Sequence, residues 1–277
     1  MIASSVPRAT LLHVVKSLPS APQILARIGH LLLAMDSELE DITGLLKRDP
    51  ALTARIIRIS NSAAYNTGTP FASIEEALAR VGLMEVYRLA GFAAIAQVAD
   101  THLVRYAVSG ALLRENSLLS ALVMEQLARP AGVDPRAAYT AGLLRSVGKI
   151  ALDRLTSDPV YDGGCGIRGP LAEWEVGFVG LSNCEAAAII LEEWRFPEAT
   201  ISAIRDHYRP EEGETIARLL NLAAGAAERS GHGFPGEASY WTTTPEHLAA
   251  AGLSQDDVDE ATRVALEHFG PVRAALG

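Results

Sequence analysis

The feature that most constrains this chain is its punctuation. Apolar residues recur at three- and four-residue spacing, and the runs open on capping residues or close on Gly and Pro. "SAPQILARIGHLLLAMD" places Ile24, Ile28, Leu31 and Leu32 on one helical face, and "ELEDITGLLKRD" does the same with Leu39, Ile42, Leu45 and Leu46. At Asp49-Pro50 a side chain can accept a backbone donor, and Pro stands where no N–H is needed, so a helix starts there. Ser73 and Glu76 have capping-box spacing at the head of "SIEEALARVGL". Further helices are predicted from about 84 to 100, from 111 to Pro130, and continuously over 136–155 behind Asp134-Pro135. Others end before Pro197, at Pro210 and at Gly231, and Thr244-Pro245 and Ser254/Asp257 open the last two.

A period of 3.6 cannot line one face of a strand, whose period is 2. No alternating run stands out, and only 6% of residues are aromatic, so the expected fold class is all-α. A length of 277 with 49% hydrophobic residues supports two helical lobes, 1–105 and 106–277, meeting in the weakly patterned stretch 101–110. Residues 157–170 read as a loop and 232–243 as irregular.

Composition narrows the function. The net charge of −9 disfavours nucleic acid, whose phosphates repel an acidic surface, and Lys47, Arg48, Arg55 and Arg58 read as a solvated helix face. Cys165 and Cys184 show no metal spacing, and Cys184 is expected to be a small buried residue. No uninterrupted apolar stretch reaches membrane-spanning length, and no apolar leader follows a basic start, so the expectation is a soluble cytoplasmic chain without membrane contact. Gly163, Gly164, Gly166 and Gly169 match no phosphate-binding motif and read as a connector. Glu192-Glu193 and Glu211-Glu212 read as solvated carboxylates.

Four stretches carry a family resemblance: "LPSAPQILARI", "DPALTARIIRISNSAAYNTGTPFASIEEALARVGL", "YTAGLLRSVGKIAL" and "AAIILEEWRFPEATISAIRDHYRP". Together, over roughly residues 11–225, they resemble the HDOD family, the HD-related output domains, relatives of the HD-type metal-dependent phosphohydrolases. The resemblance implies a helical lobe packed on an HD-like helical lobe and a role in bacterial signalling. It also implies that Arg145-Ser146 stand where HD enzymes carry a metal-binding His-Asp pair. Asn116, Asn183 and Tyr208 stand at other positions often occupied by His, and His207 alone keeps its imidazole.

Arginine has no lone pair to offer a metal, and a catalytic site needs about three protein ligands. The expectation is therefore a non-catalytic module without cofactor, acting on a protein partner or a nucleotide-like small ligand. A divergent phosphohydrolase acting on a nucleotide or cyclic dinucleotide, and a nucleotide sensor without hydrolysis, remain alternatives. His207 is read as a core or helix-surface residue. Arg145 is expected either to pair with Glu115, Glu185 or Asp206, or to extend along its helix to solvent. Asn61 and Ser62 are candidates for capping a helix end or for contacts between the lobes.

Overall fold

Every regular element among the described residues is helical. The computed structural model describes residues 8–16, 21–33, 39–62, 65, 68–99, 102–157 and 166–274. The first half carries α1 (Arg8–Val15), α2 (Ala21–Leu33), α3 (Leu39–Leu46), α4 (Pro50–Ser60), α5 (Ile74–Val81) and α6 (Leu83–Val98). The second half begins with α7 (Gly110–Ala128), α8 (Pro135–Leu144), α9 (Val147–Leu155), α10 (Leu171–Val179) and α11 (Asn183–Glu193). It continues with α12 (Glu198–Asp206), α13 (Thr215–Ala227), α14 (Pro245–Ala250) and α15 (Gln255–Ala274). A single isolated bridge, Leu103 to Val108, stands between α6 and α7. Gly163, Gly164 and Cys165, and the side chains of His30, Leu32 and Leu39, lie outside the described residues.

The start signals work as their chemistry requires. Asp49 accepts from the Leu52 N–H at 2.9 Å, Asp134 from Arg136 at 3.0 Å and Thr244 from His247 at 3.2 Å, each with Pro opening the helix. Ser73 caps α5 through the Glu76 N–H, but Glu76 reaches back to the N–H of Ala72 rather than of Ser73. A full reciprocal box forms instead at α11, between Ser182 and Glu185.

One expectation is corrected. The predicted continuous helix 136–155 is two helices, because Ser146 leaves helical geometry at φ −100°, ψ 9° between α8 and α9. Hydrophobic periodicity runs through this break and does not reveal it. The segment "LAEWEVGFV", for which no element was predicted, forms α10 behind Pro170 and stops at Gly180 in a left-handed conformation.

In the first half α2 and α4 pack on α6. The almost wholly buried α7 is the axis of the second half, packing on α8, α13 and α15. Leu113, Leu119 and Leu127 are fully buried on it, and each contributes about 1.5–3 kcal/mol of transfer free energy. α1 packs against α9 and α11, so this helix lies on the second half, and one hydrophobic core runs through both halves. Two glycines set the closest approaches: a Cβ on Gly142 would lie 2.6 Å from the Ala121 Cα, and one on Gly148 would lie 1.9 Å from the Asn183 carbonyl oxygen.

Candidate functional site

The break between α8 and α9 turns the chain inward at Arg145. Lys149 follows in the first turn of α9, and the two side chains converge on one partner across the break. Both side chains are buried, at 1% and 0% exposure, which is costly for a cation without a partner. The partner is Glu237, from the strap that joins α13 to α14. Arg145 Nη1 lies 3.0 Å from both Glu237 oxygens, and Lys149 Nζ lies 2.6 Å from Oε1. The sequence-based candidates do other work. Glu115 stands within ion-pair distance of Arg273 and His232, Glu185 belongs to the α11 cap, and Asp206 pairs with Arg205.

The positions matched to HD ligands converge on this pair. Asn116 on α7 accepts from Arg145 Nη2 at 2.6 Å and donates to the His232 carbonyl at 2.7 Å. Asn183, the first residue of α11, accepts from Lys149 at 3.0 Å. Tyr208, after α12, donates to Glu237 at 2.6 Å and accepts from Lys149 at 3.2 Å. Behind Asn183, its N–H and Nδ2 donate to Glu175 at 2.7 and 2.8 Å, and Tyr106 donates to the other Glu175 oxygen at 2.7 Å. Phe234 and Trp241 of the strap face the Arg145 guanidinium at 5.3 and 5.4 Å.

The electrostatics follow. Burial alone would raise the Glu237 carboxyl, but the adjacent Arg145 and Lys149 charges outweigh it and hold it at about 2. Glu175 is raised by burial, against the opposing Lys149 charge and its hydrogen bonds. His207 is fully buried, and burial with the nearby Arg145 charge pushes its imidazole down to about 3, so it is neutral. Its Nδ1 meets the Ile204 carbonyl at 2.7 Å and must carry the proton, leaving Nε2 as an unpartnered lone pair. Ser146 is buried, and its hydroxyl also has no partner. Cys184 is 4% exposed, and burial drives its thiol well above the ordinary range.

Asn61 and Ser62 are not brought into this cluster. Asn61 ends α4 and staples its own loop, exchanging hydrogen bonds with Phe71 at 2.6 and 2.9 Å. Lys149, Glu175, Glu237, Phe234 and Trp241 were not singled out by sequence. The available signals were the i, i+4 spacing of Arg145 and Lys149, and a lone carboxylate among the aromatic residues of "GFPGEASYW".

The cluster suits anions better than cations. A divalent ion placed here would meet two fixed positive charges and a carboxylate already shared between them, so the donor set does not fit a metal. Among the described residues no three His, Cys, Asp or Glu side chains gather as metal ligands. Of two sizeable cavities, the first touches the cluster through Tyr208 and the second lies apart from it. One, of about 670 Å³, lies against Tyr208, with Tyr240, Cys184, Arg205 and Arg209 in its wall. The other, of about 420 Å³, opens between α6, α7 and the end of α15, with Arg88, Phe92, Tyr139 and Val272 among its lining.

A helical scaffold that gathers a polar cluster where α8, α11 and α12 meet is of the HD-like class. More narrowly, the chain belongs to the HDOD family, whose domain matches residues 18–210. Its fold is similar to that of an HDOD domain protein from Geobacter sulfurreducens, at 22% identity, 97% of both chains covered and a TM-score of 0.70. It is also similar to a proposed phosphohydrolase from Shewanella amazonensis SB2B, at 22% identity, covering 97% of this chain and 98% of that one, with a TM-score of 0.64. A proposed signal transduction protein from Marinobacter aquaeolei VT8 matches at 20% identity over 98% of this chain and 65% of that one, TM-score 0.66. A curated uncharacterized protein of Treponema pallidum is 24% identical over 221 residues. That match covers 76% of this chain and 41% of the relative, so the chain spans about two fifths of its length.

Proposed function

We propose that this HDOD chain is a non-catalytic signal-transduction module that acts by binding a protein partner or a small ligand. The observation that carries this reading is the Arg145–Glu237–Lys149 cluster, which joins the positions matched to metal ligands into a buried organic ion network. Hydrolysis of a phosphoester by an HD-type site uses metal ions to polarise the phosphoryl group and supply hydroxide. Here His207 is the one imidazole at a matched position, and a single imidazole falls short of the about three protein ligands a catalytic metal site uses. The Marinobacter neighbour's description agrees with a signalling role, and the Shewanella neighbour's description names the competing one. The cleft between α6, α7 and α15 is a surface on which a partner can engage both halves at once. The net charge of −9 disfavours a nucleic-acid partner.

The test is metal content and hydrolysis together. Protein produced with supplemented Mn, Fe, Ni and Zn and then dialysed is expected to hold far less than one metal per chain and to leave phosphodiester substrates intact. About one tightly held metal per chain, lost in Ser146→Ala or His207→Ala, would support the divergent phosphohydrolase instead.

A further inference from the structure

The Glu237 carboxylate sits as a bound anion would. It is gripped by donors from three separate elements: Arg145 after α8, Lys149 on α9 and Tyr208 after α12. It arrives on an irregular strap rather than a helix, and that strap turns at Gly231 and Gly236, both at positive φ of 85° and 79°. The grip is not filled. Arg145 Nε is buried without a partner, a donor that the two carboxylate oxygens do not engage.

The pair is also close to an opening. Tyr208 bonds Glu237 and Lys149 and at the same time forms part of the wall of the 670 Å³ cavity, so its side chain stands between that cavity and the two buried cations. Arg205 and Arg209, 40% and 65% exposed, line the same cavity, each paired to a neighbouring carboxylate, Asp206 and Glu212. Glu173 and Glu185 line it too, with Glu185 committed to capping α11. A planar guanidinium beside an ammonium matches carboxylate and phosphate groups, and it repels cations.

From these observations we infer that Arg145 and Lys149 form an oxyanion-binding site which Glu237 fills from within the chain. A small ligand bearing a carboxylate or phosphate group, admitted past Tyr208, binds there by displacing the strap. The inference rests on the reading of the cluster as an organic ion site rather than a metal site. In a signalling module the consequence is a strap that reports occupancy: ligand in, strap out.

The experiment is chemical rescue. Glu237→Gln keeps the shape of the strap but removes its charge, leaving two cations short of an anion. Its thermal unfolding is followed in potassium phosphate, acetate and chloride at matched ionic strength. Phosphate or acetate is expected to raise the midpoint saturably while chloride does not, and whichever acts at lower concentration names the preferred group. Wild type should need at least about tenfold more anion for the same rise, because a tethered carboxylate competes at high effective concentration. The rescue should vanish in Arg145→Met/Glu237→Gln. If Glu237→Gln does not fold in chloride, refolding yield in phosphate against chloride is the readout, with the same expectation. Equal midpoints in all three salts, an equal response in wild type, or a response that survives in the double variant would overturn the proposal. None of these outcomes bears on metal content, whereas a stoichiometric metal at Ser146 and His207 would end both readings.

Discussion

Arg145 is the largest fully buried side chain among the described residues, and its surroundings explain why. It supplies hydrogen bonds to Glu237 and Asn116 and fills the space beneath Phe234 and Trp241. Arg145→Ala is expected to destabilise the fold by about 3–5 kcal/mol, the range for breaking a buried pair. An equilibrium urea titration measures this, and an unchanged midpoint would show that the network adds nothing. His207 sets a pH dependence. In the unfolded chain it takes a proton near pH 6.5, whereas in the folded chain burial delays this to about 3. Between those values the unfolded state binds the extra proton, so stability falls as pH falls, by up to about 1.4 kcal/mol per pH unit. Glu237 adds to the loss at lower pH, since its stabilisation is present above about 4.5 and disappears as pH drops through about 2. His207→Asn should flatten the slope between pH 6.5 and 4.5 by close to one proton, as read from denaturation midpoints at several pH values. At this scale the sequence left Arg145 between a carboxylate partner and solvent, and its candidate partners did not include Glu237. Glu237 lies 92 residues away in an irregular stretch, and the nearer carboxylates were already used locally.

Helix starts were the most legible elements, because a cap is a local contract between a side chain and an N–H two or three residues on. Asp49, Asp134 and Thr244 each keep it. The break at Arg145-Ser146 was not legible, since it is imposed by what Arg145 and Lys149 must reach and not by a Gly or Pro. Helix α10 was missed because "LAEWEVGFV" contains a glycine and lacks a one-sided apolar pattern. Glycine positions give a matched pair of tests for this account. A Cβ on Gly148 would strike the Asn183 carbonyl, while one on Gly177 in α10 would meet nothing within 4 Å. Gly148→Ala should destabilise by about 3 kcal/mol or more, at the upper end of overpacking costs, and should loosen Asn183 from Lys149. Gly177→Ala should be neutral or stabilising by up to about 1 kcal/mol, because alanine restricts the unfolded chain at no packing cost. Thermal denaturation of both variants decides it, and similar effects from the two would contradict the packing described.

Over the whole molecule, the all-α class was plain from periodicity, but the arrangement of halves was not, because nothing local tells α1 to pack on α9 and α11. No single helix among the described residues is long and apolar enough to cross a membrane. The family match ends at residue 210, yet α7 needs α13 and α15 to cover it, and the cluster needs Glu237. A chain stopped at 210 is therefore expected to lack a cooperative unfolding transition by circular dichroism, and a sharp transition there would show that the matched segment folds alone. The distance between Arg145 and its counter-charge also bears on synthesis. A ribosome adding about 5–20 residues per second releases Arg145 roughly 5–18 s before Glu237 follows it. Through that interval the nascent lobe holds two cations that cannot be buried without their carboxylate. The last turn of its folding therefore waits on translation of the strap, and rare codons or a pause within those 92 residues would lengthen the time it spends open to chaperones and proteases.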